Sequence, residues 1–208
     1  MKVYVFGAGG HAKLIIQTLN LLGYELAGAL DDDPESEGKV LLNTRVIGPF
    51  AQAEGIDGGA AILAFGDNSA RKSVSERYPH LEWISLVHPR AFVDDTAKLG
   101  QGTFVSAGAV IEPDTVVGAH CIVNSGATVA HDAEIGDFCH VGPGCNLAGW
   151  VRVGDGCSLG VGSAVRDRIG IGRWSEVGAG AVVVRDVPDC STVVGVPARV
   201  IRKSSFCE

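Results

Sequence analysis

The chain has 208 residues, which suits one or two domains, and its 46% hydrophobic content can supply a sizeable core. The net charge of −7 argues against a nucleic-acid-binding protein, because phosphate binding draws on clustered Lys and Arg. The first apolar run is too short for a signal peptide, and no stretch is long enough to span a membrane. The sequence therefore predicts a cytoplasmic protein.

The first part of the chain alternates strands with helices. An apolar strand at residues 2–6 runs into Gly7-Ala8-Gly9-Gly10-His11-Ala12 and then into a helical pattern. A second strand, at 25–30, ends at Asp31-Asp32-Asp33, and shorter strands are predicted near 45–47 and at 60–65. The last of these ends at Gly66-Asp67-Asn68, before a helix at 69–78. This alternation predicts a parallel α/β domain over residues 1–86, with its ligand crevice beyond the carboxyl ends of the strands.

The glycine-rich turn has three possible interpretations. Gly7, Gly9 and Ala12 fit the dinucleotide fingerprint G-x-G-x-x-A, and the acidic cluster follows after about 20 residues, where a ribose contact is expected. A complete NAD site, a site for another nucleotide and a purely structural turn all remain open. The domain is short and lacks a second half for the nicotinamide, whereas backbone N–H groups at a helix start bind any pyrophosphate. A nucleotide such as a nucleotide sugar is therefore favoured.

The junction between the two halves is marked by His88-Pro89. Residues 81–87 are apolar enough for a last strand, and the X-Pro pair ends it. We therefore place the second domain, with its tail, at residues 87–208.

An aliphatic residue then recurs at every sixth position, which is neither a helical period nor a simple alternation and so indicates a repeat architecture. The sixteen positions are Val93, Leu99, Val105, Ile111, Val117, Val123, Val129, Ile135, Val141, Leu147, Val153, Leu159, Val165, Ile171, Val177 and Val183. A mostly small residue precedes each aliphatic by two positions, and both are predicted to point inward. Half of the aliphatics are followed by Gly, where we expect left-handed backbone at a corner. Stacked hexads of this kind form a parallel β-helix.

Four of the six cysteines fill the small inward position of the repeat: Cys121, Cys139, Cys145 and Cys157. They are predicted to be small core residues in a reducing compartment rather than a disulfide framework. The other two, Cys190 and Cys207, are isolated near the end of the chain. No CxxC motif occurs, which disfavours a structural zinc site.

Three histidines lie in the repeat, namely His120, His131 and His140. Zinc binding by all three is disfavoured because their spacing puts them at different positions of the hexad. His131 is expected at a corner beside Asp132, where both side chains can point outward. From the residues alone, His131 is either a solvated corner histidine or a catalytic base.

The order of the motifs indicates a family. It runs from Gly-Ala-Gly-Gly-His through Leu-Asp-Asp and Gly-Asp-Asn to Asn124-x6-His131-Asp132 and Gly195-Val196-Pro197-Ala198-Arg199. Over nearly its full length the chain resembles the hexapeptide-repeat sugar O-acyltransferases of the sialic acid O-acetyltransferase type. Within them it looks most like the N-acetyltransferases of UDP- or dTDP-linked 4-amino-4,6-dideoxy sugars. The resemblance implies a left-handed β-helix with three hexads per coil, about five coils in all.

The resemblance also implies roles for individual residues. His131 matches the catalytic base, Asp132 the acid that orients it, and Asn124 a polar residue near the acceptor. Residues matching the acetyl-CoA site are His140 near the thioester, Gly149 with its N–H facing the thioester oxygen, Val161, Ala179 and Arg199. Residues matching the nucleotide-sugar pocket are Gly9, Gly10, His11, Asp31, Asp32, Gly66, Asp67 and Asn68.

The implied reaction is direct acetyl transfer from acetyl-CoA to an amino group, with no metal and no acyl-cysteine, because the cysteines of the repeat point inward. Family members form trimers, which would place acetyl-CoA between two β-helices and cover outward apolar residues such as Phe104, Val110, Val116 and Ile122. Two alternatives remain: O-acetylation of sialic acid or a related sugar, and a non-catalytic or metal-binding β-helix.

Overall fold

The computed structural model describes residues 2–56 and 59–203 and shows an α/β domain followed by a β-helix. The strands of the α/β domain are β1 (Lys2–Phe6), β2 (Glu25–Leu30), β3 (Val40–Leu41), β4 (Thr44–Gly48), β5 (Ala60–Leu63) and β6 (Glu82–Trp83). Its helices are α1 (Gly10–Leu21) and α2 (Asn68–Arg77), with 3-10 turns at Pro34–Ser36 and Phe50–Gly55.

The α/β domain is built on one sheet with the strand order β3-β4-β2-β1-β5-β6. Its strands pair in parallel except for β3, which is antiparallel to β4. Alternating residues of β1, such as Val3 and Val5, are buried against the apolar face of α1. The predicted α/β architecture is confirmed, and the loops after β1, β2 and β5 meet at one edge of the sheet, as expected.

Short parallel strands make up the β-helix and arrange in three sheets. They are β7 (Leu86–Val87), β8 (Phe92–Val93), β9 (Lys98–Leu99), β10 (Phe104–Val105), β11 (Val110–Ile111), β12 (Val116–Val117), β13 (Ile122–Val123), β14 (Thr128–Val129), β15 (Glu134–Ile135), β16 (His140–Val141), β17 (Asn146–Leu147), β18 (Arg152–Val153), β19 (Ser158–Leu159), β20 (Ala164–Val165), β21 (Gly170–Ile171), β22 (Glu176–Val177) and β23 (Val182–Val183). A hairpin of β24 (Ser191–Val194) and β25 (Arg199–Lys203) ends the described chain.

We call the sheets that contain β13, β14 and β15 the first, second and third sheets. The first corner then joins the first sheet to the second, the second corner joins the second to the third, and the third corner returns to the first. Each strand pairs with the one 18 residues later, as Val105 does with Val123, so three hexads close one coil. The parallel β-helix predicted from the repeat is confirmed, as is the left-handed form that the resemblance implies.

The interior of the coil contains the aliphatic series and the small series together. Cys121, Cys139, Cys145 and Cys157 are buried free thiols there, as predicted. Cys190, in contrast, is disulfide-bonded, and Cys207 lies outside the described residues.

The corner conformation differs from the sequence prediction. Positive φ occurs not at the residue after each aliphatic but two residues further on, where the chain has His120, Asp132 and Trp150 as well as glycines. The glycine after the aliphatic is needed for close approach instead. A Cβ on Gly136, for example, would lie 2.7 Å from the backbone nitrogen of Asp155 in the next coil. Stacking of the coils, rather than backbone handedness, therefore selects glycine at that position.

The α/β domain packs on the first sheet of the β-helix. The stretch expected to form one strand at 81–87 is split, because β6 pairs with β5 while β7 pairs with β10. Phe104 and Ile122, two of the outward apolar residues, are buried in the core beneath α1, whereas Val116 is exposed. One of the three faces of the β-helix is therefore covered by the chain itself.

Candidate active site

His131 and Asp132 lie side by side at the second corner, between β14 and β15. Asp132 has a φ of 57°, and the turn aims both side chains outward. His131 Nδ1–H donates to Asp132 Oδ2 at 2.8 Å. A carboxylate can only accept, so the bond places the proton on Nδ1 and leaves Nε2 as the proton acceptor. The structure thus brings the His131 ring and the Asp132 carboxylate into contact, while their roles as base and orienting acid stay predictions.

Gly149 lies one coil beyond His131 and borders its ring. A Cβ on residue 149 would lie 2.8 Å from Cε1 and 2.9 Å from Nε2 of His131. Within the described chain the N–H of Gly149 donates to no acceptor, although its carbonyl accepts from Arg168. A residue whose N–H has no acceptor therefore borders the proton-accepting nitrogen, and such an N–H can stabilise an oxyanion that develops within its reach.

Two further residues of the second corner were not predicted. The indole of Trp150 meets the ring of His131 edge to face, with centroids 4.6 Å apart. The Arg168 guanidinium stacks on the indole at 4.3 Å. Asp132, Trp150 and Arg168 follow one another at intervals of 18 residues, which is one coil. The coil repeat was therefore the signal that could have predicted these contacts. A groove of about 830 Å³ along the third sheet begins beside Asp132 and Trp150.

His140 and Asn124 form a second cluster, which lies against the α/β domain. Asn124 Nδ2 donates to His140 Nε2 at 3.0 Å, and Asn124 Oδ1 accepts from the Ser125 amide, which orients the side-chain amide. Gly66 borders the other edge of the His140 ring, since a Cβ on residue 66 would lie 3.7 Å from both Cε1 and Nδ1. Burial and the nearby Arg71 guanidinium lower the pKa of His140 to about 4, so the ring is neutral at physiological pH.

His11 belongs to the same cluster and extends it into the α/β domain. Its ring lies 5.5 Å from that of Phe104 and 6.5 Å from that of His140. Burial, with smaller contributions from His140 and Arg71, lowers the pKa of His11 to about 4. Its Nε2 is buried and has no hydrogen-bond partner within the described chain. That atom is available to a ligand.

The residues expected to bind acetyl-CoA are divided between corners of the β-helix. His131 and Gly149 are at the second corner, whereas Val161 and Ala179 are exposed at the first corner. His140 is on the first sheet, and Arg199 is exposed in the terminal hairpin. The second sheet lies between these two corners. Within one chain, the base and the first-corner residues therefore line separate edges of the β-helix.

The glycine-rich turn opens a cavity of about 520 Å³ in the α/β domain, lined by Gly9, Asp31 and two unpredicted lysines, Lys13 and Lys39. Gly9 is the N-cap of α1 and Gly10 its first residue, and no side chain caps this end. The first N–H groups of α1 can therefore meet a phosphate. Asp31 accepts from the Ala8 amide at 2.6 Å and so braces the turn.

Three other predicted pocket residues make structural contacts. Asp32 accepts from the Phe50 amide at 2.8 Å. Asp67 is the N-cap of α2 and accepts from the Ala70 amide at 2.8 Å, a bond that lowers the pKa of its carboxyl group. Asn68 donates to the carbonyl of Gly156 at 2.9 Å in the β-helix. In this structure Asp67 therefore caps helix α2, and Asn68 contributes to the contact between the domains.

The described residues contain no group of three or more His, Cys, Asp and Glu that could hold a metal ion. Among the helices of residues 2–56 and 59–203, none is long and apolar enough to cross a membrane. The three histidines considered for zinc have different surroundings, since His120 is buried and stacks on Phe138 with 5.3 Å between ring centroids.

Two family descriptions match the chain. The PglD N-terminal domain matches residues 2–78, and the bacterial transferase hexapeptide matches residues 96–131 and 132–167. A curated relative, the UDP-N-acetylbacillosamine N-acetyltransferase of Bacillus subtilis, is 39% identical over 119 residues, which are 51% of this chain and 51% of the relative. An uncharacterised protein of Acanthamoeba polyphaga mimivirus is 32% identical over 55% of this chain and 23% of its own length. The chain thus spans about half or less of these curated relatives.

Solved structures match over nearly the whole chain. Perosamine N-acetyltransferase from Caulobacter crescentus, in complex with CoA and GDP-perosamine, is 36% identical with a TM-score of 0.90, covering 97% of each chain. The acetyltransferase domain of PglB from Neisseria gonorrhoeae, in complex with acetyl coenzyme A, is 34% identical with a TM-score of 0.90, covering 96% of this chain and 98% of that one. The chain therefore belongs to the hexapeptide-repeat sugar N-acetyltransferases that carry a PglD-type N-terminal domain.

Proposed function

We propose that this acetyl-CoA-dependent acetyltransferase acetylates the 4-amino group of a nucleotide-linked 4-amino-4,6-dideoxy sugar. The C. crescentus relative is crystallised with GDP-perosamine, and the B. subtilis relative is named for a UDP-linked sugar. Both names refer to an amino sugar that is carried on a nucleoside diphosphate. The sequence resemblance favours UDP or dTDP as the carrier, and the C. crescentus relative adds GDP to the candidates.

The observation that carries the proposal is the 2.8 Å bond from His131 Nδ1 to Asp132, with Nε2 beside Gly149, whose N–H has no acceptor in the described chain. Acetyl transfer needs both groups at one point. The neutral amine attacks the thioester carbonyl carbon, and the Gly149 N–H donates to the oxyanion that forms. His131 Nε2 takes the excess proton from the nitrogen, and CoA leaves as the tetrahedral intermediate collapses to the amide. Such an oxyanion donor is worth about 3 kcal/mol in the barrier.

The division of the site between corners supports a homotrimer. If the second corner of one protomer faces the first corner of the next, His131 and Gly149 meet Val161 and Ala179 of a neighbouring copy across a groove that can hold pantetheine. The free Nε2 of His11 and the Asn124 amide would then face the sugar from the α/β side. Mass photometry at assay concentration tests this arrangement, and an active monomer contradicts it.

The substrate assignment is tested with a panel of UDP-, dTDP- and GDP-linked 4-amino-4,6-dideoxy sugars, together with sialic acid as an O-acetyl acceptor. Mass spectrometry of the product is expected to show one added acetyl group on nitrogen. Amide formation with one or more nucleotide sugars and none with free sialic acid supports the proposal. Transfer to a hydroxyl group alone contradicts it.

A further inference from the structure

Arg71 is a fully buried charged residue that the mechanism above does not use. It lies in α2 with 1% of its surface exposed, and its hydrogen bonds reach both domains. In the α/β domain it donates to the carbonyl of Gly66 at 2.9 Å and to Asn68 Oδ1 at 2.8 Å. In the β-helix it donates to the carbonyl of His120 at 3.0 Å and to that of Phe138 at 2.9 Å.

The acceptors of the Arg71 guanidinium are neutral oxygens rather than carboxylates. Removing a guanidinium from water without a counter-ion is costly, and burial lowers the pKa of Arg71 to about 10. An apolar side chain of similar size could join the domains with a smaller desolvation cost. The buried charge of Arg71 therefore needs an explanation beyond holding the two domains together. The planar guanidinium, with its five N–H donors in fixed directions, offers one.

The bonds of Arg71 continue into the second cluster of the candidate site. Gly66, whose carbonyl accepts from Arg71, borders the Nδ1 edge of the His140 ring, and Nε2 of that ring accepts from Asn124 at 3.0 Å. Asn124 can act only as the donor here, because its Oδ1 is engaged by the Ser125 amide. The neutral ring of His140 must then carry its proton on Nδ1, on the edge that Gly66 borders. Asn124 thus sets the tautomer, and Gly66 packs against the opposite edge of the ring.

We propose that Arg71 is a positioning residue, which holds Gly66 in place and thereby, together with Asn124, fixes the orientation and tautomer of His140 where the acceptor sugar binds. The location of that acceptor rests on the proposed function, whereas the tautomer does not. The groups that face His140 are His11 from α1, Arg71 from α2 and Asn124 from the first corner. The positive charge of Arg71 also opposes protonation of both histidines, so the cluster stays neutral near pH 7.

Two substitutions separate the geometry from the charge. Arg71→Lys keeps a positive charge but has no planar fork to span Gly66 and the β-helix carbonyls. Arg71→Gln keeps some hydrogen bonding but removes the charge. Arg77→Gln serves as the matched control, because Arg77 lies on the same helix, is exposed, pairs with Glu54 at 3.2 Å and lies over the Tyr78 ring at 5.2 Å, away from His140.

We expect the KM for the nucleotide sugar to rise at least tenfold in both Arg71 variants, with less than a threefold change in acetyl-CoA affinity. The Arg77 variant should match the wild type. By 15N NMR of histidine-labelled protein, the pKa of His140 should stay low in Arg71→Lys and rise only in part in Arg71→Gln, because burial, the larger cause of the shift, remains. An unchanged sugar KM in Arg71→Lys, with the wild-type tautomer, overturns the proposal.

The wild-type protein provides a test that needs neither variant folding nor activity. The 15N signals of His140, assigned by their loss in His140→Gln, should show a neutral ring protonated on Nδ1 down to about pH 5. A ring protonated on Nε2, or one that titrates near pH 6.5, overturns the role of Arg71 whatever the substrate proves to be. Failure of the nucleotide-sugar panel with the expected NMR signals would overturn the proposed function instead.

Discussion

His131 and Gly149 are 18 residues apart in the chain, yet a methyl group on residue 149 would lie 2.9 Å from Nε2 of His131. That distance is shorter than real Cβ contacts allow, so only glycine leaves the ring in its place. The same residue presents the free N–H that we assign to the oxyanion. The proton acceptor and the oxyanion donor are thus set by the stacking of two coils.

Gly149→Ala should therefore disable catalysis without unfolding the β-helix. The added methyl displaces the ring of His131 from the donor, and we expect kcat/KM to fall by at least about 100-fold, the usual effect of losing an oxyanion contact. Steady-state kinetics and thermal unfolding test this. Gly55→Ala is the control, since a Cβ there meets nothing within 4 Å. Wild-type kcat/KM in Gly149→Ala would refute the assignment.

Asp132→Asn tests the orienting acid. An amide oxygen can still accept from Nδ1–H, but it does not stabilise the imidazolium that forms when Nε2 takes a proton. We expect kcat to fall by at least about tenfold while acetyl-CoA binds normally. Asp167→Asn is the matched control, because Asp167 is exposed further along the same corner and pairs with Arg168 at 3.1 Å. Equal kcat values in the two variants would count against the role of Asp132.

The buried histidines make stability depend on acidity. Burial is the main cause that lowers the pKa of His11, His120 and His140 to about 4, from an ordinary value of 6.5. Between those values the unfolded chain binds more protons than the folded one, so the free energy of unfolding falls as the pH falls. Above pH 6.5 these groups contribute no slope.

Urea unfolding at pH 7, 6 and 5 measures that slope. His120→Phe removes one titrating group, so the slope should become shallower by about one proton. The new ring keeps the stack on Phe138 and the edge contact with Trp83. His120 Nδ1 is buried without a partner in the described chain, so the substitution removes no hydrogen bond of that atom. An unchanged slope in the variant would mean that His120 does not titrate in this range.

The thiols of the interior are expected to act as hydrogen-bond donors. Cys139 Sγ donates to the carbonyl of Gly154 at 3.1 Å, as Cys121 does to Gly136 and Thr103 to Gly118 one and two coils earlier. Cys139→Val fills the space but leaves the Gly154 carbonyl unpaired, which costs about 1–3 kcal/mol. Cys139→Ser keeps a donor and should be the more stable variant by chemical denaturation. A Val variant as stable as the Ser variant would contradict this view.

The hexad period was enough to predict the coil, because one inward aliphatic in every six residues cannot be buried by a lone helix or a flat strand. The role of each corner residue could not be predicted from the hexad period. Glycine suits both positive φ and close approach of two backbones, and only the structure shows that Gly136 serves the second need. Positive φ occurs two residues further on, at His120, Asp132 and Trp150 as well as at glycines.

The candidate site was predictable where neighbours in sequence are neighbours in space, as with His131 and Asp132. The contact of Trp150 with His131 was not predicted, because it depends on the 18-residue coil repeat. Asn124 was expected near the acceptor and His140 near the thioester, and these roles stay predictions. Both residues face the α/β domain, and no hexad pattern says which face of a β-helix another domain covers. Asp67 caps α2 and Asn68 joins the domains, but both also border a cavity of about 260 Å³, so their assignment to the nucleotide stays a prediction.

The central claim is that His131 removes the proton of the attacking amine. The most direct measurement is the single-turnover rate of His131→Ala with acetyl-CoA and the best nucleotide amino sugar of the panel, after calorimetry has shown that both substrates still bind. We predict a rate lower by about 10²- to 10⁴-fold. A rate within threefold of the wild type would contradict the account.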